Sequence, residues 1–202
     1  MTCILGLTGS IASGKSETVK LLREAGIPVF DSDAEVHSLY QQPAVAEQIA
    51  MEFPSAVADG KVVRSELARL VLGNPQKLQL LERMIHPLVR TERLKFIALC
   101  KKQNAPLAFL DIPLLFETGE DKNGDSIVLI TAPEELRRER ALQRPGMTRE
   151  KFAQIVARQM PDAEKNRRAN HIINNTGSLE DLRKQVNALI MQLKDKAKVH
   201  DT

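Results

Sequence analysis

Apolar and polar residues follow one another along the chain in a pattern that predicts strands separated by helices. Five short apolar runs have the length and composition of buried strands. They span residues 3–7, 27–30, 106–111, 127–131 and 171–174. Between and after them, apolar residues recur every three or four positions, which is the period of an α-helix. This order of elements predicts an α/β protein.

The longest helical part of the sequence lies between the second and third predicted strands. Helical periodicity covers residues 44–53, 65–72, 76–85 and 88–102. His86-Pro87 separates the last two helices, because proline holds the preceding residue out of the α region. One crossover needs far fewer residues than this. We therefore predict a single domain, residues 1–202, with a helical subdomain, residues 34–103, inserted to hold the second substrate.

The first strand leads into a glycine-rich segment with a phosphate-binding pattern. The segment fits G-x-x-x-x-G-K-[ST] without a gap and consists of Gly9, Ser10, Ile11, Ala12, Ser13, Gly14, Lys15 and Ser16. A strand that turns through glycines into a helix leaves backbone N–H groups pointing into one concavity, at the positive end of the helix dipole. Lys15 can then reach the β- and γ-phosphates, and the Ser16 hydroxyl can ligate Mg²⁺. The pattern predicts a nucleoside triphosphate site.

Carboxylates follow two of the predicted strands. Asp31-Ser32-Asp33 ends the second strand, and Asp111 ends the third. Ligands of open α/β sheets gather beyond the carboxyl ends of strands, so we expect these acids near the phosphate loop. An apolar run ending in aspartate downstream of such a loop is the Walker B arrangement, which predicts Asp111 as a Mg²⁺ ligand opposite Ser16. Asp33 or Ser32 can instead cap the next helix, and both roles stay open.

Arginines cluster in and just before residues 140–168, where a helix, a Pro-Gly break and a second helix follow one another. Arg137, Arg138 and Arg140 lie on the first helix, and Arg144 shares a face with Arg140 if that helix continues. This arrangement predicts a mobile lid whose guanidinium groups neutralise charge during transfer and exclude water. A solvated basic helix face is the alternative.

Composition narrows the class of protein. The chain has 202 residues, 43% hydrophobic and 27% charged, which are values typical of a globular protein with one core. The net charge of +3, without aromatic–basic interleaving, favours anionic small molecules over nucleic acid. No apolar run is long enough to span a membrane. Cys3 and Cys100 give no disulfide framework. We expect a cytoplasmic protein that is a monomer or a weak homo-oligomer.

The motifs also discriminate between classes of P-loop protein. GTPases need a guanine-reading N-K-x-D after a strand, and the sequence lacks it. A small chain with its own lid and acceptor subdomain suits phosphoryl transfer to a small molecule, where exclusion of water is the central problem. A kinase for nucleosides or sugars, or a nucleotide-binding regulatory protein without transfer activity, are the alternatives.

Taken together, the motifs resemble those of the dephospho-CoA kinase family. The matching segments are Gly6-Leu7-Thr8-Gly9 through Lys15-Ser16, Asp31-x-Asp33, His86-Pro87 with Arg90, Asp111-Ile112-Pro113-Leu114-Leu115-Phe116-Glu117, and Arg140 through Arg144 with Gln159. The resemblance implies a three-layer α/β P-loop kinase fold with a five-stranded parallel sheet, an inserted helical CoA-binding subdomain and an arginine-bearing lid. It also implies transfer of the ATP γ-phosphate to the ribose 3′-hydroxyl of dephospho-CoA, the final step of coenzyme A synthesis.

The resemblance further implies roles for single residues. Asp33 resembles the general base that accepts the 3′-hydroxyl proton. Arg140, with Arg144 as its companion, resembles the lid arginine that meets the phosphates. The acceptor would contact His86 and Arg90 in the CoA subdomain, and Leu114, Leu115 and Phe116 beyond the third strand. Asn175 lies where related kinases pass the chain near adenine.

Three positions depart from the family pattern. Glu17 stands where the family usually has threonine, and a carboxylate beside the α-phosphate would reduce nucleotide affinity. Asn170 stands where aspartate is common, and we expect it to change local hydrogen bonding rather than chemistry. Ala12 replaces a loop glycine, which is a mild change only if its backbone needs no positive φ.

Overall fold

The computed structural model describes residues 2–122 and 124–199, with side chains described up to residue 196. The described residues form two compact units. The first contains the chain up to Phe30 and from Leu99 onward, and the second contains Asp31–Ala98. The second unit overlaps residues 34–103, the predicted inserted subdomain, whose role in substrate binding stays a prediction.

The elements alternate between strands and helices as the hydrophobic pattern indicates. The strands are β1 (Cys3–Gly9), β2 (Val29–Asp31), β3 (Val57–Ala58), β4 (Lys61–Val62), β5 (Leu107–Asp111), β6 (Ser126–Thr131) and β7 (His171–Asn174). The helices are α1 (Lys15–Glu24), α2 (Ser32–Leu39), α3 (Pro43–Glu52), α4 (Arg64–Val71), α5 (Pro75–Lys102), α6 (Glu134–Leu142), α7 (Arg149–Arg158), α8 (Asp162–Arg168) and α9 (Leu179–Val199). No helix in the described ranges is long and apolar enough to cross a membrane.

Five of the described strands form a parallel sheet in the order β2-β5-β1-β6-β7. β1 lies between β5 and β6 and pairs in parallel with both. The register places Leu7 beside Asp111, so β5 ends at the edge of the sheet from which the loop after Gly9 leaves. The predicted α/β fold with a five-stranded parallel sheet is confirmed, and this edge carries the phosphate loop and an acid together.

The sheet is rigid because its central strands are apolar and buried. Leu5, Leu7, Phe109, Val128 and Ile130 are fully buried. The apolar faces of α1 and α9 pack into the same core. Burying one such side chain contributes about 1.5–3 kcal/mol. The strands therefore form a firm base for the loops at their carboxyl ends.

The second unit has an apolar core of its own. Leu39 from α2, Ile49 from α3, Leu67 from α4 and Ile85 from α5 are buried in one cluster. These helices are amphipathic, so each buries one face in this cluster and exposes the other. The unit is therefore stabilised by its own helix packing.

A short hairpin in the second unit is not indicated by the hydrophobic pattern. β3 and β4 pair antiparallel and contribute only two residues each, which is too short to show strand periodicity. The two turn residues, Asp59 and Gly60, have φ values of 50° and 71°, as a type I′ turn requires. The Asp-Gly pair is the sequence signal that identifies such a hairpin.

The break predicted at His86-Pro87 does not occur. α5 is continuous and contains Pro87, so the predicted separate helices and the turn at His86 are wrong. Proline removes one backbone hydrogen bond and crowds the carbonyl group four residues earlier. Ile85, Leu88 and Val89 nevertheless belong to or pack against the apolar core on either side of it. This burial keeps the helix intact across the proline.

Candidate active site

The loop between β1 and α1 has the backbone of a phosphate cradle. Gly14 has a φ of 101° and caps α1, without any side-chain hydrogen bond to the cap. The first-turn N–H groups of α1 are therefore not taken up by a capping side chain. The Ser13 N–H donates to the Ser10 carbonyl at 3.1 Å and closes the loop on itself. The loop and the helix N-terminus together favour a bound anion.

Asn175, which follows β7, holds the second half of this loop. Its side chain is buried, and its Nδ2 donates to the Ser13 carbonyl at 2.9 Å. A Cβ atom on Gly14 would lie 1.9 Å from the Asn175 Nδ2, so only glycine fits there. The structure thus places Asn175 against the phosphate loop. Its proposed proximity to adenine stays a prediction.

Ala12 occupies a left-handed backbone conformation with a φ of 58°. The condition for a mild glycine replacement is therefore not met, because alanine pays a steric cost in this region. Its methyl group is buried and clusters with Ala141 of α6 and Phe152 of α7. Compared with glycine, alanine at this position strains the backbone but adds a packing contact between the loop and the α6–α7 segment.

Lys15 and Asp111 form an ion pair at the carboxyl end of the sheet. Their side chains are 17% and 7% exposed, so the pair is largely withdrawn from solvent. Asp111 is the last residue of β5, and Lys15 is the first residue of α1. The structure therefore brings together the loop lysine and the Walker B acid, in the arrangement expected of a P-loop enzyme.

Ser16 and Asp111 fit the chemistry of a magnesium site. Mg²⁺ in phosphate-transfer sites takes one or two protein oxygens and completes its shell with water and substrate phosphate. Ser16 lies in the first turn of α1 and is exposed, and Asp111 ends the strand beside β1. No group of three or more His, Cys, Asp or Glu side chains that could hold a metal ion is present in the described ranges.

Five buried side-chain polar atoms lack a hydrogen-bond partner among the described residues. They include Ser13 Oγ in the phosphate loop and Arg140 Nη1 on α6. An unpaired buried polar atom costs free energy, so such atoms call for a missing partner. A hydroxyl group and a guanidinium group both donate to phosphate oxygens. The Arg140 guanidinium group fits an anionic ligand, whereas Ser13 Oγ lies against Gly9.

The arginines of α6 divide into distinct environments. Arg137 is buried, donates through Nε to the Ala132 carbonyl at 3.0 Å, and pairs with Asp162. Arg138 pairs with Glu135 at the surface. Arg140 is half-buried and keeps its unpaired Nη1. Arg137 and Arg138 are therefore each paired with a carboxylate, although Arg137, like Arg140, keeps a buried Nη1 without a hydrogen-bond partner among the described residues.

Arg144 lies beyond the helix that carries Arg140. α6 ends at Leu142, so the shared helix face predicted for the two arginines does not exist. Arg144 is exposed, and its backbone N–H donates to the Ala141 carbonyl at 2.9 Å. Thr148 then caps α7 through a hydrogen bond from the Lys151 N–H. The first helix, the break and the second helix are present as predicted. The motion of this segment as a lid stays a prediction.

A buried ionic cluster around Lys165 lies beside the phosphate loop and is not indicated by the sequence pattern. We call Lys165, Ser10, Glu117, Asp162 and Arg137 the Lys165 cluster. Lys165 is fully buried and pairs with Glu117, and Asp162 accepts a hydrogen bond from the Ser10 hydroxyl at 2.6 Å. Its members are as many as 155 positions apart in sequence. Charged residues on a short polar helix give no signal of burial, which is why the pattern misses the cluster.

Gln159, noted in the resemblance to the family, also contacts the phosphate loop. Its Oε1 accepts a hydrogen bond from the Ile11 N–H at 3.1 Å. This loop N–H is therefore satisfied by protein. The contact adds to the fixation of the loop from the segment between α7 and α8.

The acids predicted at the end of β2 have different environments. Asp31 caps α2, since its Oδ1 accepts a hydrogen bond from the Ala34 N–H at 2.9 Å. The cap is therefore neither Ser32 nor Asp33. Asp33 lies in the first turn of α2 with an exposed side chain. In the same turn, burial raises the pKa of Glu35, and the Glu92 carboxylate adds to this rise.

His86 and Arg90 lie on one face of the second unit's long helix. Both side chains are exposed on α5, four residues apart. Because α5 is continuous, this spacing places them one turn apart on the same side. An imidazole group and a guanidinium group on one exposed face can bind an anionic or polar acceptor.

The three apolar residues after β5 have unequal exposure. Leu114 is 42% exposed, whereas Leu115 and Phe116 are almost completely buried. The Arg168 guanidinium lies 4.8 Å from the centre of the Phe116 ring. Leu114 is thus the one of the three whose side chain reaches solvent.

Glu17 and Asn170, the other two residues that depart from the family pattern, make local contacts. Glu17 pairs with Lys20 at 2.9 Å along the partly exposed face of α1. Asn170 accepts a hydrogen bond from the Ile127 N–H at 2.8 Å through Oδ1 and donates its own N–H to the Ile127 carbonyl. An aspartate side chain could accept the same bond, so Asn170 changes the charge and keeps the connection to β6.

The chain is similar to known proteins in both sequence and structure. A model of the dephospho-CoA kinase family matches residues 3–181. A dephospho-CoA kinase of Mesorhizobium japonicum is 49% identical over 191 residues, which cover 95% of this chain and 96% of that protein. A protein of Thermus thermophilus with a known crystal structure has a TM-score of 0.82 at 40% identity, covering 95% of this chain and 98% of that one. A dephospho-CoA kinase from Campylobacter jejuni has a TM-score of 0.75 at 27% identity, covering 97% and 99%.

Proposed function

The chain belongs to the dephospho-CoA kinase family, and from this premise we propose which of its residues carry out the reaction. The protein is an ATP-dependent kinase that phosphorylates the 3′-hydroxyl of dephospho-CoA, the final step of coenzyme A biosynthesis. The observation that carries this function is the family match over most of the chain, which includes an intact phosphate loop. The nucleoside-kinase and regulatory alternatives are not favoured by these relatives.

We propose that residues 9–16 bind the triphosphate of ATP. Lys15 would exchange its contact with Asp111 for the β- and γ-phosphates, because a free lysine ammonium group interacts strongly with polyphosphate. Ser16 and Asp111 would hold Mg²⁺, which neutralises charge on the transferred group. The ion pair of Lys15 with Asp111 supports this, since it places both groups at the mouth of the loop.

We propose Asp33 as the general base. As the 3′-oxygen forms its bond to the γ-phosphorus, the bond from that phosphorus to ADP breaks and the hydroxyl proton passes to the Asp33 carboxylate. The transition state is loose, so orientation of the hydroxyl matters more than early proton removal. The exposed Asp33 side chain supports this role, since Asp31 alone caps α2.

We propose that Arg140 stabilises the charge of the transferring phosphate, with Arg144 as a second cation. The unpaired buried Nη1 of Arg140 supports this role. The acceptor would contact His86 and Arg90 through its polar groups and Leu114 through its apolar arm, with Leu115 and Phe116 shaping the segment beneath. A guanidinium group donates two hydrogen bonds in one plane to a phosphate.

Two finer expectations belong to the same proposal. We propose that the protein works in the reducing cytoplasm, which fits its two free cysteines, Cys3 and Cys100. Burial raises the pKa of both thiols above the ordinary value. We also propose that it is a monomer or a weak homo-oligomer that acts on a small-molecule substrate, without nucleic acid or membrane.

The experiment that tests the residue roles compares Asp33→Asn with Lys15→Ala. Asp33→Asn should leave the Kd for ATP nearly unchanged and lower kcat by roughly two to four orders of magnitude, because the general base is lost. Lys15→Ala should weaken ATP binding and catalysis together. The Kd is measured by calorimetry, and kcat by ADP release with dephospho-CoA.

Glu35→Gln is the matched control for Asp33→Asn. It removes a carboxylate from the same turn of α2, and it relieves repulsion from Glu92. We expect a kcat close to that of the unmodified protein. Normal turnover by Asp33→Asn would remove Asp33 from the chemistry, and equal losses in both variants would point to disruption of α2 instead.

A further inference from the structure

Lys165 on α8 is a fully buried cation that touches the phosphate loop. Its Nζ lies 3.2 Å from Ser10 Oγ and 3.0 Å from Glu117 Oε1. Ser10 directly follows β1, and Glu117 lies in the segment that follows β5. One ammonium group therefore connects the phosphate loop to the segment that begins beside Asp111.

The Ser10 hydroxyl is fixed from two sides. It donates its proton to Asp162 Oδ1 at 2.6 Å and accepts from Lys165. Asp162 is in turn held by the buried Arg137 through its other carboxylate oxygen. A hydroxyl with one donor and one acceptor partner has a single favourable rotamer. The position of Ser10 is thus set by α8 and α6.

Glu117 links Lys165 to the segment between α7 and α8. Its Oε1 also accepts a hydrogen bond from the Met160 N–H at 2.7 Å. The neighbouring Gln159 binds the Ile11 N–H. The first two residues after Gly9 are therefore both held by contacts from residues 159–165.

These buried charged contacts contribute little to the stability of the fold. A buried ion pair gives little net stabilisation compared with apolar residues of the same volume. Glu117 Oε2 and Arg137 Nη1 are also buried without hydrogen-bond partners among the described residues. A partly satisfied polar network stabilises a fold less than an apolar core does. The arrangement is better explained by a need to hold the loop in one conformation.

We propose that Lys165 is a positioning residue for ATP. It acts through Ser10 and Glu117, and fixes the first half of the phosphate loop in the shape that accepts the triphosphate. This inference deepens the proposed function and rests on the use of residues 9–16 as the ATP site. Lys165 itself lies beneath the loop and does not take part in the bond changes.

The test uses four variants of the cluster, of which Lys165→Arg keeps the cation. Lys165→Met removes the cation, and Lys165→Met with Glu117→Gln removes the pair of charges. Ser10→Ala removes only the hydroxyl that Lys165 touches. For each protein, calorimetry gives the Kd for ATP, thermal unfolding gives Tm, and steady-state kinetics give kcat and the KM for each substrate. Lys184→Met, the same change at an exposed position on α9, is the control.

We expect Lys165→Met to weaken ATP binding roughly tenfold to a hundredfold, as the loss of a charged hydrogen bond does. The double variant should recover Tm but not ATP affinity, because Ser10 still lacks the hydrogen bond from Lys165. Lys165→Arg should recover part of the affinity, since it keeps the charge. Ser10→Ala should weaken ATP binding severalfold with little change in Tm, and Lys184→Met should change neither quantity.

A purely structural role predicts a different result. The double variant would then recover Tm, ATP affinity and kcat together, and Ser10→Ala would bind ATP normally. Either finding would overturn the proposal, and Ser10→Ala decides the matter even if the Lys165 variants fail to fold. Failure of the proposed function has its own signature, which is the absence of turnover with dephospho-CoA in the unmodified protein.

Discussion

At the scale of single residues, the phosphate loop takes its shape from side chains far along the chain. Gln159 binds the Ile11 N–H, and Asn175 binds the Ser13 carbonyl. Each of these side chains forms a hydrogen bond with one backbone polar group of the loop and so satisfies it. These contacts favour one conformation of the loop, and such preorganisation lowers the ordering cost of binding.

Ala12→Gly tests the balance between strain and packing in the loop. Glycine relieves about 1–2 kcal/mol of left-handed strain. It loses about 0.8 kcal/mol of methyl burial and adds about 0.4–1 kcal/mol of chain entropy to the unfolded state. We therefore expect a change in the free energy of unfolding of less than about 1 kcal/mol, measured by urea denaturation.

Ala141→Gly is the matched control for Ala12→Gly. Ala141 packs in the same cluster but lies in a helix, where glycine relieves no strain. It should destabilise by about 2 kcal/mol, from lost burial and lower helix propensity. Equal destabilisation by the two variants would contradict the strain assigned to Ala12.

Glu17→Thr tests whether the carboxylate on α1 weakens ATP binding. Glu17 already pairs with Lys20, so its effect on a nearby phosphate is partly neutralised. A residual repulsion of about 1 kcal/mol corresponds to a KM for ATP lowered about fivefold in Glu17→Thr. Glu17→Gln, which removes the charge alone, should give most of that change. An unchanged or higher KM in both variants would refute the repulsion.

At the scale of elements, the continuity of α5 determines where acceptor-binding groups can lie. A break at Pro87 would point His86 and Arg90 in unrelated directions, whereas one helix puts them on a common exposed face. The proline is accommodated because apolar residues are buried on both sides of it. Local propensity is overridden here by tertiary packing.

His86→Ala and Arg90→Ala should impair acceptor binding selectively. Each should raise the KM for dephospho-CoA by roughly tenfold to a hundredfold, because a charged hydrogen bond to the acceptor is lost. The KM for ATP should stay within about twofold, since we propose that the loop after β1 binds the triphosphate. Steady-state kinetics with one substrate varied at a time measure both constants.

Lys77→Ala is the control for these variants. Lys77 is an exposed cation on α5, but its spacing from His86 places it on the opposite face of the helix. It should leave both KM values unchanged. A similar rise in the KM for dephospho-CoA in Lys77→Ala would show that the effect is general charge attraction and not binding by one face.

Elements with strong local signals are predictable from sequence, and long-range contacts are not. The five strands, the P-loop and the Walker B acid carry periodicity or fixed spacing, and all occur at the expected positions. The hairpin of β3 and β4 is too short for periodicity to show. The buried Lys165 resembles any surface lysine in sequence, because its partners lie up to 155 positions away. Tertiary burial of charge has no local pattern.

At the scale of the whole molecule, the residues proposed to bind the ATP triphosphate and those proposed to bind the acceptor belong mainly to different compact units. The first unit carries the phosphate loop, Asp111 and Arg140, and the second carries Asp33, His86 and Arg90. Phosphoryl transfer depends mainly on positioning and charge stabilisation. This division predicts that the acceptor, not ATP, distinguishes the enzyme from other P-loop kinases.

The most direct test is ADP release from Mg-ATP with dephospho-CoA or with adenosine as the acceptor. We expect strong stimulation by dephospho-CoA, with coenzyme A as the phosphorylated product, and almost none by adenosine. Phosphorylation of adenosine without activity toward dephospho-CoA would agree with P-loop kinase chemistry. It would contradict dephospho-CoA as the acceptor. Tight ATP binding with no turnover of either acceptor would contradict the kinase assignment itself.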